Sequence, residues 1–419
     1  MSLRIYVEAM GCRLNTAEAE MLARRFAGAG HEVVDDPARA EVIVMNSCAV
    51  TAQAVRKGRR RVRTLHRANA HAEIAVTGCW ATASPDVIGT MDGVHWVMPN
   101  AAKHEVVERV LGGELVQDPA PWSPGQWGHT RAFIGVQDGC DHACTYCVTR
   151  LLRGPAQSRP PDEALAQVRH AVSQGAQEVV LTGVSLGAYG HDLALEDGLA
   201  YLGRRILGET SVPRLRFSSI EPWDVTEALL DLWRDARVCR QLHLPLQSGS
   251  DAILKRMGRR MEVDVYRAWV AAIREVSPDI ALTTDLITGF PGETEEDFHA
   301  TVAFAEACGF ARLHVFPYSE RAGTAAARLP GPVPGATRRA RARVLRRVGR
   351  RLSAAYRERF VGRVLPVLWE RQDSEGGWVG WSDTYVEVRA DSERALYNRV
   401  TGTLLTGVSG TCLMGEVVA

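Results

Sequence analysis

The sequence predicts an α/β protein in three parts: an N-terminal doubly wound parallel sheet, a central partial (βα)6 barrel and a small C-terminal β-barrel. Short apolar runs alternate with amphipathic stretches over residues 1–115, and the same alternation returns with longer units over about 131–330. After an arginine-dense helical stretch, only short strand-like runs follow. At about 100–200 residues per domain, a chain of 419 residues accommodates three such parts.

The composition is that of a folded protein, with 46% hydrophobic and 24% charged residues. It excludes extensive disorder, and no run of about 18 apolar residues is present that would cross a bilayer. The N-terminus enters a strand-like pattern directly and does not resemble a signal peptide. We therefore expect a cytoplasmic protein without a membrane partner. The net charge of +1 gives no overall sign of nucleic-acid binding, but residues 56–63 and 338–351 are strongly basic.

The first domain is predicted over residues 1–115. Its short apolar runs indicate buried strands, and helical stretches separate them in a βαβ order that is typical of a doubly wound parallel sheet. A linker rich in proline and glycine, Asp118–Gly125, marks the boundary that follows. The predicted strands and helices, in chain order, are Ile5–Val7, Ala17–Ala27, Val42–Met45, Val55–Arg67 and Ile74–Val76.

The central domain is predicted over residues 126–357. Six strand and helix units suit an open or partial (βα) barrel, in which the chemistry lies at the carboxyl ends of the strands. Helices are predicted between the strands, for example at Pro161–Gln174 and Val263–Val276, and an arginine-rich helix ends the domain. The predicted strands are Ala132–Val136, Glu178–Thr182, Arg214–Ser218, Gln241–Leu244, Ala281–Leu286 and Ala311–Val315.

The last domain is predicted over residues 358–419. Short strand-like runs separated by glycine and aspartate turns indicate a small β-barrel of about 60 residues. The predicted strands are Val364–Trp369, Gly377–Trp381, Tyr385–Val388, Asn398–Leu405 and Thr411–Val418.

Three cysteines in one short loop are the most specific pattern in the chain. Cys140, Cys144 and Cys147 have the spacing C-x3-C-x2-C, which suits three corners of a four-iron cluster and leaves one iron open to a small molecule. The loop follows the first predicted barrel strand, where a barrel carries its reactive groups. Structural zinc is the alternative, but it usually takes four ligands as two pairs.

Three other cysteines share a topological position. Cys12, Cys48 and Cys79 each follow a predicted strand of the first sheet, and parallel strands bring their carboxyl ends to one edge. Gly11 and Gly78 precede two of them and allow a close backbone approach. This common position favours a second ligand set over buried core cysteines. The remaining three have no such pattern and are expected in the core: Cys239, Cys308 and Cys412.

These motifs together resemble the methylthiotransferase family of the radical S-adenosylmethionine (SAM) superfamily, across essentially the whole chain. Two three-cysteine sets in this order, followed by a terminal barrel similar to the TRAM RNA-binding domain, are specific to that family. The matching motifs are Gly11–Asn15, Asn46–Cys48, Thr77–Cys79, Cys140–Cys147, Arg153-Gly154, Ser158-Arg159, Leu181–Val184, His243–Gly249 and Thr284–Thr294.

The resemblance implies two 4Fe-4S clusters and SAM as cofactors. Cys140, Cys144 and Cys147 would act catalytically by holding the cluster that binds and cleaves SAM. The other set, Cys12, Cys48 and Cys79, would hold an auxiliary cluster that carries or supplies sulfur. One SAM would methylate this sulfur, and the radical from a second SAM would remove hydrogen from carbon 2 of an adenosine. The implied partners are a tRNA anticodon stem-loop, an electron donor such as flavodoxin or ferredoxin, and a sulfur source.

Within the family, the sequence is most similar to the branch that modifies N6-threonylcarbamoyladenosine at position 37 of tRNA, directly 3′ of the anticodon. Gly11–Asn15, Leu313–Ser319 and Gly323-Thr324 carry this similarity. The alternatives are the branch that modifies N6-isopentenyladenosine and the branch that modifies an aspartate of a ribosomal protein. A non-catalytic alternative is an RNA-binding iron–sulfur electron carrier, which the open cluster corner argues against.

Several residues near predicted strand ends are candidates for binding SAM. Tyr146 matches the aromatic residue that packs beside the adenine in such enzymes, and Gly183 allows close contact with the amino end of SAM. The alternatives for the others are plain turns or helix caps. The full set of candidates is Tyr146, Thr182, Gly183, Val184, Ser218, Glu221, Gln247, Gly289 and Phe290.

Candidates for RNA binding lie in the arginine-rich helix and in the terminal barrel. Guanidinium groups along a helix suit a row of phosphates, although a charge run is as often a solvated face. The barrel is slightly acidic, so aromatic stacking would have to contribute there, unless these aromatics pack in the core. The candidates are Arg338, Arg341, Arg346, Arg350, Trp369 and Trp381.

Overall fold

The computed structural model describes residues 2–113, 119–126 and 128–418. Met1, residues 114–118, Trp127 and Ala419 lie outside the described residues, and with them the predicted end of the first domain and Asp118 of the predicted linker. The predicted α/β class is confirmed, with a parallel sheet, a strand-and-helix core and a closed terminal barrel in this order.

The N-terminal part is a five-stranded parallel sheet between helices. The elements are β1 (Arg4–Ala9), α1 (Arg13–Gly28), β2 (Glu32–Val34), β3 (Val42–Ser47), α2 (Ala52–Ala68), β4 (Glu73–Gly78), α3 (Cys79–Ala83), α4 (Pro85–Gly89), β5 (Val94–Met98) and α5 (Val106–Val110). The strand order is β2-β1-β3-β4-β5, so the direction in which strands are added reverses between β1 and β3. Short strands β2 and β5 complete the edges and were not predicted.

Helices on both faces explain why the predicted strands are apolar without alternation. Every residue of β3 is buried. Val42 and Val44 pack with Phe26 of α1 on one face, whereas Ile43 and Met45 pack on the other. A strand that is covered on both sides has no polar face, so its sequence reads as a continuous apolar run.

The central part carries six parallel strands with helices outside them. The main strands are β6 (Ala132–Gly135), β9 (Val179–Thr182), β10 (Leu215–Phe217), β11 (Gln241–His243), β12 (Ala281–Thr288) and β13 (Arg312–Pro317); a short antiparallel pair, β7 (Gln137–Asp138) and β8 (Gln157–Ser158), lies after β6. The helices are α6 (Thr149–Arg153), α7 (Pro161–Ser173), α8 (Gly198–Glu209), α9 (Glu227–Leu230), α10 (Asp251–Arg256), α11 (Val263–Val276), α12 (Glu295–Cys308) and α13 (Gly335–Glu358).

These six strands form two neighbouring sheets, β6-β9-β10 and β11-β12-β13. A parallel bridge between Ser219 and His243 joins the two sheets, which gives the partial barrel its order β6-β9-β10-β11-β12-β13. One continuous hydrophobic core lies between the strands and the outer helices, from Ile134 through Leu242 to Leu345. This arrangement confirms the predicted partial barrel.

The terminal part is a closed barrel in the order β14-β15-β16-β18-β17. Its strands are β14 (Val364–Gln372), β15 (Trp378–Ser382), β16 (Glu387–Ala390), β17 (Val400–Ser409) and β18 (Cys412–Val417). Trp369 and Phe360 are fully buried in its core, together with Tyr356 from α13. The long helix α13 therefore contributes to the terminal barrel as well as to the central part.

Buried polar contacts attach the terminal barrel to the central strands. Arg131 pairs with Glu370, with Nε 2.9 Å from the carboxylate, and Arg240 pairs with Asp383 at 2.6 Å. Arg216 donates to the carbonyl of Asp383 at 3.1 Å. Among the described residues, no helix is both long and apolar enough to span a bilayer.

Candidate active site

The first three cysteines follow three neighbouring strands at their carboxyl ends. Cys12 lies between β1 and α1, Cys48 comes directly after β3, and Cys79 begins α3 at the end of β4. Ligands of doubly wound sheets bind where the strand order reverses, which here is between β1 and β3. The topology thus brings the three thiols to the edge of the sheet that is best placed to bind a ligand.

Two glycines let the backbone come close at this edge. Gly11 has a φ of 114°, and a Cβ there would lie 2.7 Å from the Cβ of Cys48. Gly78 has a φ of 92°, and a Cβ there would lie 2.3 Å from Oδ1 of Asn46. Both positions require glycine, because the conformation disfavours other residues and no space is left for a side chain.

The three thiols influence one another electrostatically. Burial raises the pKa of Cys48, and the neighbouring thiols of Cys79 and Cys12 raise it further. Burial also raises the pKa of Cys12, and the positive charge of Arg153 acts against this. Neighbouring thiols of this kind lose their protons together when a metal centre binds them.

Arg153 connects this edge to the second cysteine loop. Its Nε donates to Sγ of Cys79 at 3.3 Å, and its Nη2 donates to Oδ1 of Asn15 at 2.7 Å. Asn15 in turn accepts from Sγ of Cys12 at 3.2 Å. Arg153 also pairs with Glu18 at 2.9 Å and with Asp138 at 2.7 Å. A single guanidinium thus contacts residues from α1, from α3 and from the strand that leads into the second loop.

The second cysteine loop lies between β7 and α6. The backbone N–H of Cys140 donates to the carbonyl of Gly154, and that of Cys147 donates to the carbonyl of Cys144, both at 3.1 Å. Thr145 anchors the loop, since its N–H and its hydroxyl donate to the carbonyls of Met257 and Arg256. Burial raises the pKa of Cys140 to about 11, with further contributions from the Cys147 and Cys144 thiols.

The donor chemistry of both sets fits iron–sulfur clusters. Among the described residues, no three His, Cys, Asp or Glu side chains are arranged to hold a single metal ion. Structural zinc is held by four ligands, whereas each set here offers three thiols, and the imidazole of His142 in the second loop accepts from Nε1 of Trp223 at 3.2 Å. Thiolates are the ligands of 4Fe-4S clusters, and a set of three leaves one iron open. The residues present therefore fit clusters better than zinc.

The SAM candidates on β9 and β10 lie at the carboxyl ends of the barrel strands. The hydroxyls of Thr182 and Ser218 are buried, and neither has a hydrogen-bond partner among the described residues. Gly183 lies against Gln137, and a Cβ there would come within 2.9 Å of its Oε1. Val184 follows in the same loop, half-buried. Buried hydroxyls without partners are costly, so this edge is suited to a polar ligand.

Further SAM candidates lie around an aromatic cluster. Phe290 is fully buried, with its ring centroid 6.3 Å from Tyr146 and 5.3 Å from Tyr318. Gly289 directly before it has a φ of 68° and donates its N–H to the Glu293 carboxylate at 2.7 Å. Tyr146 and Phe290, which are far apart in the sequence, are thus brought together beside the second cysteine loop.

Gln247 adopts a left-handed backbone conformation with a φ of 74°, which is uncommon for a residue other than glycine. Its backbone pairs with β12, because its N–H donates to the backbone carbonyl of Asp285 and its carbonyl accepts from the N–H of Ile287. Such strained positions concentrate at binding sites, where the surrounding structure holds them in place.

Glu221 pairs with a residue that no sequence pattern had indicated. Arg259 pairs with Glu221 at 2.8 Å and stacks on Trp223, with its guanidinium carbon 4.4 Å from the ring centroid. Nearby, burial together with the Glu221 charge raises the pKa of Asp224 to about 7. Arg259 follows α10 in a turn without any motif, so no signal in the sequence identified it.

Two of the six RNA-binding candidates, Trp369 and Arg341, are buried, which contradicts the prediction for them. Trp369 is completely buried, and its Nε1 donates to Thr401 at 2.8 Å, so no face remains for a base. Arg341 is buried and pairs with Glu293 at 2.6 Å. Arg338 donates to the carbonyls of Val333 and Tyr318 and supports the loop at Gly289. Nothing local in the sequence indicated that Trp369 and Arg341 are buried, because their partners Thr401 and Glu293 lie in distant segments of the chain.

The other RNA candidates are accessible. Arg346 and Arg350 are exposed on α13, although Arg346 also donates to the carbonyl of Val315. Trp381 is half-buried and stacks on Tyr385, with ring centroids 4.9 Å apart. These three side chains and Tyr385 line a groove of about 700 Å³ between α13 and the terminal barrel.

The expected core cysteines differ in burial. Cys239 and Cys308 are buried, with 2% and 3% of their surface exposed. Cys412 is half-buried in β18, where its thiol donates to Glu387. Cys412 therefore lies at the barrel surface rather than in the core.

Two family models match this chain. Residues 134–305 match the radical SAM superfamily, and residues 4–98 match the uncharacterized protein family UPF0004. The radical SAM methyltransferase TsrM from Kitasatospora setae, solved with cobalamin and a [4Fe-4S] cluster, has a TM-score of 0.56 at 15% identity, covering 76% of this chain and 75% of that chain. This likeness concerns the fold alone.

Curated relatives match over nearly the whole chain. Threonylcarbamoyladenosine tRNA methylthiotransferase MtaB of Thermotoga maritima is 35% identical, covering 91% of this chain and 90% of the relative. The protein of the same name from Bacillus subtilis is 33% identical, covering 90% and 88%. The tRNA-2-methylthio-N(6)-dimethylallyladenosine synthase of Pelobacter propionicus is 32% identical, covering 99% and 98%. With its radical SAM domain and its two three-cysteine sets, this chain belongs to the radical SAM methylthiotransferase family and is an enzyme of that class.

Proposed function

We propose that the chain is a tRNA methylthiotransferase that converts N6-threonylcarbamoyladenosine, directly 3′ of the anticodon, into its 2-methylthio derivative. The juxtaposition of two three-thiol sets through Arg153 carries the chemical part of this proposal. The choice of nucleoside is supported by the MtaB proteins, of which the one from Thermotoga maritima is 35% identical to this chain. The nucleic-acid partner is then a tRNA anticodon stem-loop, and the reaction also requires an electron donor and a sulfur source.

In this proposal the two cysteine sets have separate roles. Cys140, Cys144 and Cys147 would hold the 4Fe-4S cluster that binds SAM, and Cys12, Cys48 and Cys79 would hold the auxiliary cluster. When bound, the clusters and SAM supply the electron, the methyl group and the radical chemistry of the reaction.

The residues of the chain position these groups and exclude water from them. The unpartnered hydroxyls of Thr182 and Ser218 would accept hydrogen bonds from, or donate them to, the polar groups of SAM. The rings of Tyr146 and Phe290 offer an apolar wall beside the loop. Arg153 would fix the distance between the two cysteine sets, because its two carboxylate partners lie in different segments.

The substrate is tested by nucleoside mass spectrometry of tRNA from cells with and without the gene. We expect deletion to remove 2-methylthio-N6-threonylcarbamoyladenosine and to leave its unmethylthiolated precursor in place. Restoring the gene should restore the product, and a gene carrying Cys48→Ala should not. Loss of a methylthio-isopentenyladenosine instead would assign the chain to the other tRNA-modifying branch, of which the Pelobacter propionicus protein is 32% identical to it.

The two cysteine sets are tested by removing one ligand from each. After anaerobic reconstitution we expect about eight iron atoms per chain in the wild type and about four in Cys48→Ala or in Cys144→Ala. Cys144→Ala should lose SAM cleavage, whereas Cys48→Ala should keep cleavage and lose methylthiolation. Cys412→Ala is the control, because this thiol lies in the terminal barrel. Methylthiolation by Cys48→Ala would contradict the proposed division of roles.

A further inference from the structure

A guanidinium directly beside the first cysteine reaches into the interior of the molecule. Arg13 follows Cys12 and begins α1, where the next residue, Leu14, packs against Gly135 of β6. The guanidinium carbon of Arg13 lies 4.9 Å from the ring centroid of Tyr385 in the terminal barrel. The half-buried side chain therefore extends from the auxiliary cysteine edge into the space between the three parts of the chain.

Other arginines in this interior have carboxylate partners. Arg131 pairs with Glu370, Arg216 pairs with Glu178 at 2.6 Å, and Arg153 and Arg259 have the partners described above. Arg13 differs from them, since no ion pair joins it to a carboxylate anywhere in residues 2–113, 119–126 and 128–418. A shielded cation without a counter-charge is unfavourable, so an anion supplied from outside would be bound strongly there.

The carboxylates near this space are already used by other groups. Glu178 contacts both Arg214 and Arg216, and Glu370 contacts Arg131. Asp285 of β12 faces His243, with 3.4 Å between Oδ1 and Nε2. Among the described residues, Arg13 therefore has no carboxylate partner, and its guanidinium contacts only the ring of Tyr385 on this side.

The positive character is reinforced by two neighbouring guanidiniums. The guanidinium carbons of Arg131 and Arg216 lie 5.6 Å and 4.7 Å from the same Tyr385 ring. Arg131 pairs with Glu370, whereas Arg216 shares Glu178 with Arg214, so the guanidiniums in this region outnumber their carboxylates, and Arg13 is the one that has no ion pair among the described residues. An anionic group that reached the Tyr385 ring would lie next to the Arg13 guanidinium, whose paired N–H donors suit a carboxylate.

The position of Arg13 decides which anion fits. Carbon 2 of the target base has to approach the auxiliary cysteine edge for sulfur to be transferred, and Arg13 is the residue next to Cys12. A group attached to the same base can therefore reach the Arg13 guanidinium. The threonylcarbamoyl group carries a carboxylate, and an isopentenyl group carries none.

We propose that Arg13 binds the carboxylate of the N6-threonylcarbamoyl group and thereby determines which modified adenosine is accepted. This inference rests on the proposed function. It assigns to Arg13 a specificity role that is distinct from the role of the cysteine beside it.

The test compares anticodon stem-loops that carry N6-threonylcarbamoyladenosine, its methyl ester or unmodified adenosine. Binding to the reconstituted enzyme is measured by fluorescence anisotropy at one fixed salt concentration. For the wild type we expect the free acid to bind about tenfold or more tightly than the ester, the range of a charge-assisted hydrogen bond. Arg13→Gln should abolish this preference, and Arg13→Lys should retain part of it. Iron content and SAM cleavage are measured on each variant to establish that both clusters are present.

Two results would overturn the inference. Equal binding of acid and ester by the wild type would exclude recognition of the carboxylate, and this comparison needs no variant. An equal loss of affinity for all three stem-loops in Arg13→Gln would assign Arg13 to phosphate binding or to packing. Failure of the proposed function is seen separately, as wild-type enzyme that does not methylthiolate the threonylcarbamoyladenosine stem-loop. Turnover of that stem-loop without any discrimination between acid and ester would leave the function intact and reject the role of Arg13.

Discussion

Arg153 is the residue on which the geometry between the two cysteine sets depends most. Its side chain is only 2% exposed and pairs with Glu18 and Asp138, while Lys103 contacts the same two carboxylates. Burial would raise the pKa of Glu18, but Arg153 and then Lys103 outweigh it, so this pKa is lowered. The same two cations lower the pKa of Asp138. Removing the guanidinium leaves two largely buried carboxylates to share one ammonium.

We predict that Arg153→Met lowers the free energy of unfolding of the iron-free chain by about 3 kcal/mol at pH 7. Arg153→Lys should lower the free energy of unfolding less, because it keeps the positive charge. It should still cost some stability, because lysine lacks the guanidinium that donates to Asn15 and Cys79. Urea denaturation followed by circular dichroism provides the measurement. Arg109→Met, which removes an exposed pair with Glu105, is the matched control and should cost less than about 0.5 kcal/mol. A loss below about 1 kcal/mol for Arg153→Met would contradict this view of the network.

At the scale of secondary-structure elements, local patterns predicted the strands well. β3 and β4 were identified because strands buried on both faces have continuous apolar sequences, and the positions of Cys48 and Cys79 followed from them. Contacts between distant elements leave no such pattern. Arg153 meets Asn15 across 138 positions of the chain, so nothing near either residue indicates the pair.

The terminal barrel illustrates the same difficulty. Trp369 and Trp381 lie on adjacent strands, β14 and β15, and each is preceded by a small or apolar residue, Leu368 and Gly380. Trp369 points into the core, whereas Trp381 remains half-exposed. In a small closed barrel only the register between strands decides which side chain faces inward, and the sequence alone does not show that register.

Helix α13 presents its exposed arginines on one face. Arg343, Arg347 and Arg350 lie at helical spacing and are exposed, and Arg350 borders the groove shared with the terminal barrel. We predict that the triple substitution of these arginines with glutamine weakens tRNA binding to a similar extent for modified and unmodified tRNA. The slope of log K against log salt should fall in magnitude by about 2, since each lost phosphate contact accounts for about 0.7–0.9.

The control for this helix is a triple variant of arginines on outer surfaces. Arg169, Arg234 and Arg267 are exposed and paired with neighbouring acids. Replacing them with glutamine should leave both the affinity and the salt slope unchanged. If the α13 variant kept the wild-type slope of log K against log salt, the arginines on this face would contact solvent and no phosphates.

At the scale of the whole molecule, buried ion pairs make the central barrel and the terminal barrel one mechanical unit. Glu178, fully buried before β9, contacts Arg214 and Arg216. Those arginines donate to backbone carbonyls of the terminal barrel, at Trp381 and Ser382 among others. The charge on Glu178 therefore holds the donors that join the two parts.

This arrangement makes the stability of the chain depend on pH. Burial disfavours the Glu178 carboxylate, but the Arg216 and Arg214 charges outweigh that effect and lower its pKa to about 2, from the ordinary value of 4.5. A carboxyl group whose pKa is lower in the folded state stabilises the fold above its unfolded pKa. This contribution, about 3 kcal/mol, is lost as the pH falls from about 4.5 toward 2.

We predict that Glu178→Gln destabilises the iron-free chain by about 3–5 kcal/mol at pH 7, because two buried guanidiniums lose their counter-charge. The difference in the free energy of unfolding between this variant and the wild type should become smaller as the pH falls from about 4.5 toward 2, because the wild-type carboxylate is then itself protonated. Urea denaturation at a series of pH values measures both effects. Asp231→Asn, which breaks an exposed pair with Arg234, is the matched control and should change stability by less than about 0.5 kcal/mol at every pH. A difference in unfolding free energy that stays constant across this pH range would mean that Glu178 acts through packing. Its charge would then not be what holds the two barrels together.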